Sequence, residues 1–182
     1  MKKVFTGIAI SALVFIGSAS AEDQGAVLSV NGAVTQKTNA CEVTLNKSSV
    51  NLTDDISRMI TQGDRATSIT PVSMTVMGVD NNWTCGQKIL NGEIAVRFVG
   101  THDNADGTAF ANTASGNDAA AGVGIGLFET SNEPIDINQP YHLATKSNIV
   151  TQFFGLQLVK LHGQNTAAGK VTGDVTVQIE RL

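Results

Sequence analysis

The stretch that decides the fold is GKVTGDVTVQIERL, residues 169–182. Within it Val175, Val177 and Ile179 alternate with Asp174, Thr176, Gln178 and Glu180. A period of two places one side of a β-strand against an apolar interior and the other in water. Chain ends usually fray, so a strand patterned this regularly up to its last residues must be held by neighbours on its flanks. The rest of the sequence has to supply them.

It does so repeatedly. Moving back along the chain, IVTQFFGLQLVKL carries Phe154, Leu156 and Leu158 on one side, GVGIGLFE carries Val123, Ile125 and Leu127, and GEIAVRFVG carries Ile94, Val96 and Phe98. SITPVSMTVMGV adds Val72, Met74 and Val76, and CEVTLNKSSVNL alternates through Val43 and Leu45. Nearest the N-terminus, EDQGAVLSVNGAV alternates through Ala26, Leu28 and Val30. Turn-rich stretches such as THDNADG and NTASGND separate these runs. Helical patterning is nearly absent; only TDDISRMI, Thr53 to Ile60, offers a turn or two, with Thr53 or Asp54 as N-cap. The chain is therefore predicted to be all-β, and its many short strands, 18 glycines and 3 prolines favour a sandwich.

The N-terminus has a different character. MKKVFTGIAISALVFIGSASA, residues 1–21, combines two lysines, an apolar run from Val4 to Ile16 and a small-residue site at Ala19-Ser20-Ala21, the pattern of a cleaved signal peptide. The apolar run is too short for a membrane anchor. Cleavage would leave a mature chain of 161 residues beginning at Glu22, one domain by length. Without Lys2 and Lys3 it holds 10 basic against 16 acidic residues, a net charge of −6 that disfavours nucleic acid and anionic membranes as partners. Export also allows disulfides, so the two cysteines, Cys41 and Cys85, are predicted to pair. Their spacing matches neither a zinc site nor a redox dithiol.

Catalytic and cofactor patterns do not emerge. His102, His142 and His162 are isolated, with no spacing suited to a metal. His102-Asp-Asn-Ala-Asp-Gly107 resembles a calcium loop only in part, lacking the first aspartate and the closing glutamate, and reads as a turn. The glycines of GVGIG, 122–126, are spaced G-x-G-x-G without a following helix, so they read as a strand whose backbone is approached closely. No G-x-S-x-G or S-x-x-K frames a nucleophile. Trp83, the single tryptophan, is expected to pack over the disulfide region. No enzyme, metal or cofactor is expected.

Four features in order resemble the type 1 fimbrial subunit family, the pilins assembled by the chaperone–usher route. Leu28-Ser-Val-Asn-Gly-Ala-Val34 is similar to the family's N-terminal signature, with Val30 where an aromatic residue is usual. The separation of Cys41 and Cys85 is family-like. Ala119 to Asn138, AAAGVGIGLFETSNEPIDIN, resembles the family's glycine-spaced strand, polar turn and following strand. Gly169 and the alternation after it resemble the closing strand, with Arg181 where the family often has an aromatic residue.

The resemblance implies an incomplete immunoglobulin-like β-sandwich, completed by a donor strand from another chain. On this reading residues 1–21 are the signal peptide, 22–34 the donor-strand extension and start of the domain, and 35–182 the pilin domain. Ala26, Leu28 and Val30 are the donor residues, and Val175, Val177, Ile179 and Arg181 line the acceptor groove. The implied partners are a periplasmic chaperone, an outer-membrane usher and neighbouring pilin subunits, and the implied location is a fimbrium on the bacterial surface, active in adhesion. The alternative reading is a monomeric exported β-sandwich binding module, whose sandwich would be complete without a second chain.

Overall fold

The computed structural model describes residues 26–29, 41–79, 83–144 and 146–182. The expected signal peptide, Glu22–Gly25, and Val30 with the Asn31-Gly32 pair lie outside the described residues. Among the described residues there are eleven strands: β1 (Ala26–Ser29), β2 (Cys41–Leu45), β3 (Ser49–Leu52), β4 (Ile60–Thr61), β5 (Thr70–Gly78), β6 (Ile94–Gly100), β7 (Phe110–Ala111), β8 (Val123–Glu129), β9 (Tyr141–His142), β10 (Val150–Lys160) and β11 (Thr172–Arg181). One helix, α1, spans Trp83–Leu90. The strands form two sheets, ordered β3-β1-β11-β6-β9 and β2-β5-β10-β8-β7, with β4 beside β10. The chain is all-β, as its alternation predicts.

The inward residues of the two sheets meet in one core. Val72, Met74 and Val76 of β5 face Val96 and Phe98 of β6 and Val175 and Val177 of β11, all at most 1% exposed. Phe98 sits at its centre, its ring edge-on to Phe154 at 5.1 Å and tilted against Tyr141 at 5.7 Å. Such aromatic pairs add stability beyond the area they bury. Burial pushes the Tyr141 hydroxyl up to about 12, with Glu129 adding to the shift, so it stays protonated at neutral pH.

The structure shows why β8 departs from simple alternation. Its outer face is covered too, by a second cluster of Ala66, Ala109, Phe128, Val159 and Leu161. Glycine is required there: a Cβ on Gly124 would stand 2.8 Å from Leu161 and 3.0 Å from the Phe110 carbonyl oxygen.

The 102–107 loop is a turn built around Asp103, which is 7% exposed. Its Oδ1 accepts hydrogen bonds from the Ala105 and Gly107 amides, and its Oδ2 accepts from the Ala109 amide and Gln62 Nε2. Burial pushes the pKa of this carboxyl up, but the three amides and Gln62 together outweigh it and hold it below the usual carboxylate range. A depressed carboxylate pKa contributes stability above the unfolded value and loses it as pH falls through the folded one. Unfolding free energy should therefore fall below about pH 4 in the parent, and fall less steeply in Asp103→Asn. Equal acid slopes in urea titrations of the two proteins would contradict this.

Two sequence expectations are corrected. Residues 53–60 do not form a helix. Asp55 instead closes a turn, accepting from the Ser57 amide and hydroxyl through its side chain and from the Arg58 and Met59 amides through its carbonyl. The helix lies at α1, where only Cys85, Gly86 and Ile89 are buried, too few apolar positions to show a helical period. It ends in a glycine cap: Gly92, at φ 72°, donates to the Ile89 carbonyl while the Glu93 amide donates to Lys88. Trp83 does not cover the disulfide. It opens α1 and is 64% exposed.

Candidate functional site

The sequence singled out the last strand and the first one, and the fold brings them side by side. β11 begins where Asn112 and Thr113 hold it: the Thr172 amide donates to Asn112 Oδ1 at 3.0 Å, and the Thr113 amide donates to the Thr172 carbonyl at 2.7 Å. Just before the strand, a Cβ on Gly169 would lie 2.5 Å from the Ala120 amide nitrogen and the Asp118 carbonyl oxygen. Glycine is therefore a packing requirement at the start of the closing stretch. From Val175 to Arg181 one edge of β11 pairs antiparallel with β6, Val177 opposite Phe98 and Ile179 opposite Val96. Arg97 braces this pair by donating from Nε and Nη2 to the two carboxylate oxygens of Glu180 at 2.7 and 3.0 Å. The Arg97 guanidinium holds the Glu180 carboxyl below its usual range.

Burial along the inner face of β11 is graded. Val175 and Val177 are fully buried, Ile179 is half-buried against the core, and Arg181 is exposed. Of the four residues expected to line the groove, Arg181 is therefore exposed, although it shares their phase. Asp174 and Gln178 are exposed on the opposite face, in keeping with the alternation.

The other edge of β11 faces β3, and between them lies β1. Val27, Leu28 and Ser29 run parallel to Thr172, Gly173 and Asp174, and Ala26 to Ser29 run antiparallel to Leu52 to Ser49. Positions 26 and 28 are in register with Leu52 and Val50, both 4% exposed. Among the described strands, β3 belongs to its sheet only through β1. β1 is thus the strand that links Ser49–Leu52 of β3 to Thr172–Asp174 of β11. Positions 26–29 of the expected donor segment thus pair within their own chain, beside Thr172–Asp174 and short of Val175, Val177, Ile179 and Arg181.

Val50 and Leu52, which flank positions 28 and 26, were not singled out as site residues from sequence, although they alternate with Ser49 and Asn51. A cleft of about 440 Å³ opens past the Ala26 end of β1, between the 53–59 turn and residues 167–171. Ile56, Met59, Val123, Leu158 and Val171 supply its apolar lining. No described strand pairs with the β3-facing edge of β11 from Val175 onward.

The predicted disulfide is present. Cys41 at the start of β2 and Cys85 in α1 are joined, their Cα atoms 5.3 Å apart. No group of three or more His, Cys, Asp or Glu that could hold a metal occurs among the described residues.

Comparison with known proteins adds the family. The chain is similar in fold to the crystal structure of the P pilus rod subunit PapA, at 14% identity over 84% of this chain and 100% of that one, with a TM-score of 0.47. It is also similar to the CupB6 tip adhesin from Pseudomonas aeruginosa, at 12% identity over 86% of this chain and 40% of that one, with a TM-score of 0.36. No curated protein matches it in sequence. A family model described as fimbrial protein matches residues 12–180, nearly the whole chain. The chain belongs to the fimbrial protein family.

Proposed function

We propose that this pilin polymerises head to tail by donor-strand complementation, its N-terminal extension entering the groove of the next subunit to build a surface fibre that serves adhesion. As a member of the fimbrial family it is a structural protein and not an enzyme. Before assembly a periplasmic chaperone lends the missing strand, and an outer-membrane usher passes the subunit to the growing fibre. The observation that supports this reading most directly is that, among the described strands, β3 joins its sheet only through β1, a segment from the N-terminal tail. A place that one apolar strand can fill is open to the equivalent strand of a neighbour.

If three to five side chains enter the groove at about 1.5–3 kcal/mol each, the gross gain is roughly 5–15 kcal/mol before ordering costs. That is comparable to the stability of a whole domain, so the joint should be long-lived. The contact is heterologous and does not close on itself, which favours an open filament.

Deletion of residues 22–30 tests the reading. The shortened subunit should be recovered with the chaperone and accept a neighbour's strand, yet fail to donate one, so it should cap fibres instead of extending them. Fibre length in electron micrographs of cells expressing the deletion is the measurement. Fibres as long and as numerous as the parent's would sink the proposal.

A further inference from the structure

We propose that a cavity of about 310 Å³ beside β10 is a binding site for an uncharged, polyhydroxylated ring such as a pyranose. It forms where β10 changes partners. β5 last pairs with β10 at Thr70 opposite Leu156, and β4 first pairs with it at Ile60 opposite Val159, while β8 holds the other edge from Phe154 to Lys160. Gln157 and Leu158 therefore face no described strand on the first edge. The Gln157 side chain, 4% exposed, fills the interval. Its Oε1 accepts from the Thr67 and Ser68 amides, both at 3.0 Å, and its Nε2 donates to the Thr67 hydroxyl at 3.1 Å. One wall of the cavity is thus fixed from the core. The opposite wall is the Asp55 turn, which supplies Thr53, Asp54 and Arg58. These three also border the cleft past Ala26, but none of Val50, Val175, Val177 or Ile179 lines the cavity.

The lining suits neither an anion nor a cation. Asp54 and Arg58 share the cavity, and neither belongs to an ion pair among the described residues. An anion would be drawn to Arg58 and repelled by Asp54, and a cation the reverse. A neutral ligand that presents a donor beside an acceptor satisfies both, and the vicinal hydroxyls of a sugar do so through hydrogen bonds assisted by each charge. Asp54 has an oxygen to spare, since only its Oδ1 is engaged, by the Asp55 amide at 2.8 Å. The hydroxyls of Thr53, Ser68 and Thr70 also line the cavity without a hydrogen-bond partner among the described residues, and each can donate and accept. A zwitterion such as a free amino acid would answer the two charges and leave those hydroxyls idle. Leu52, Leu156 and Leu158, each at most 6% exposed, complete the lining with apolar surface for the C–H face of a ring. The volume is near the lower end for ligand sites, which sets the size at one ring. One ring binds weakly, with a roughly millimolar dissociation constant. If the subunits polymerise as proposed above, every subunit repeats the site along the fibre and the copies reinforce one another. The site itself does not depend on that reading.

The test titrates the isotope-labelled chain from Glu22, as recovered from the periplasm, with the methyl glycosides of glucose, galactose, mannose and N-acetylglucosamine. L-Leucine and inorganic phosphate are the contrasting probes. At least one glycoside should shift the amide resonances of residues 53–58 and 67–70 saturably. Asp54→Asn and Arg58→Gln should each weaken that binding by roughly tenfold, the loss of one charge-assisted hydrogen bond. Neither side chain is buried, so both variants should melt at the parent temperature. Glu42→Gln, outside the cavity lining, should bind as the parent does. The proposal is overturned if no glycoside shifts those amides saturably, if the two substitutions leave the binding unchanged, or if leucine or phosphate binds there more tightly than every glycoside. Because binding is read on the chain without a fibre, a failure of polymerisation would leave the result standing and would count only against the donor-strand reading.

Discussion

Val177→Asp is expected to abolish recovery of the subunit with its chaperone and its incorporation into fibres. Val177 is 1% exposed, opposite Phe98 in the β6–β11 ladder, and Phe98 packs edge-on against Phe154. A carboxylate there has no partner in the apolar core. Either it stays protonated, its pKa driven up by desolvation, or it forces β11 away from the sheet, and each outcome costs several kcal/mol. On the proposed donor-strand mechanism β11 also carries the receiving edge, so the damage would fall on folding and on assembly together. Gln178→Thr, one residue on and facing outward, is the matched control. Lysine would be a poorer choice because position 178 lies opposite Arg97, and like charges across a ladder repel. The readouts are co-purification with the chaperone and heat-sensitive multimers on gels. Equal loss from both substitutions would mean that β11 is not one-sided, and equal tolerance would mean that no groove depends on it.

Removing the disulfide should be nearly as damaging. The bond between Cys41 and Cys85 spans 44 positions, and in the chain-entropy model closing a loop of that length destabilises the unfolded chain by about 4 kcal/mol. It also fastens the first residue of β2 to α1, a helix with few buried residues and a glycine pressed against Asn148. A helix of eight residues does not hold itself in water, so α1 depends on that anchor. Cys41→Ala with Cys85→Ala should lower the melting temperature by roughly 8–16 °C for a domain of this size. Alanine is preferred to serine because Cys85 is fully buried and a hydroxyl would need a partner there. A shift of less than about 3 °C, corresponding to ~1 kcal/mol, would show that the bond is dispensable.

The strands were legible wherever one face is buried and the other wet. Val72, Met74 and Val76, then Ile94, Val96 and Phe98, then Val175 and Val177 announce β5, β6 and β11 because a period of two is a local property of the chain. β4, β7 and β9 have two residues each, too few to carry a period, and exist because a longer strand offers them an edge. α1 was missed because its stability comes from the Cys85 bond, the burial of Ile89 and the Gly92 cap rather than from an amphipathic repeat. Asn91-Gly92 was the available signal for its end. The exposure of Trp83 was not foreseeable from its nearness to Cys85, since opening a helix turns a residue away from one two positions further on.

The sequence by itself determined that this chain is an exported-type, all-β protein with one disulfide pair, whose last strand presents Val175, Val177 and Ile179 to an interior. Those conclusions follow from alternation, composition and spacing, which depend on neighbours along the chain. Only the tertiary structure decided which strands lie beside β11, that Val50 and Leu52 are buried in register with positions 28 and 26, and that Arg181 is exposed despite its phase. It also decided that Val27–Ser29 runs parallel to Thr172–Asp174 of its own chain. A strand's alternation records that one of its faces will be covered. Its partner and direction are set by which edges remain unpaired once the rest of the sandwich has formed, and by how far the intervening chain can reach.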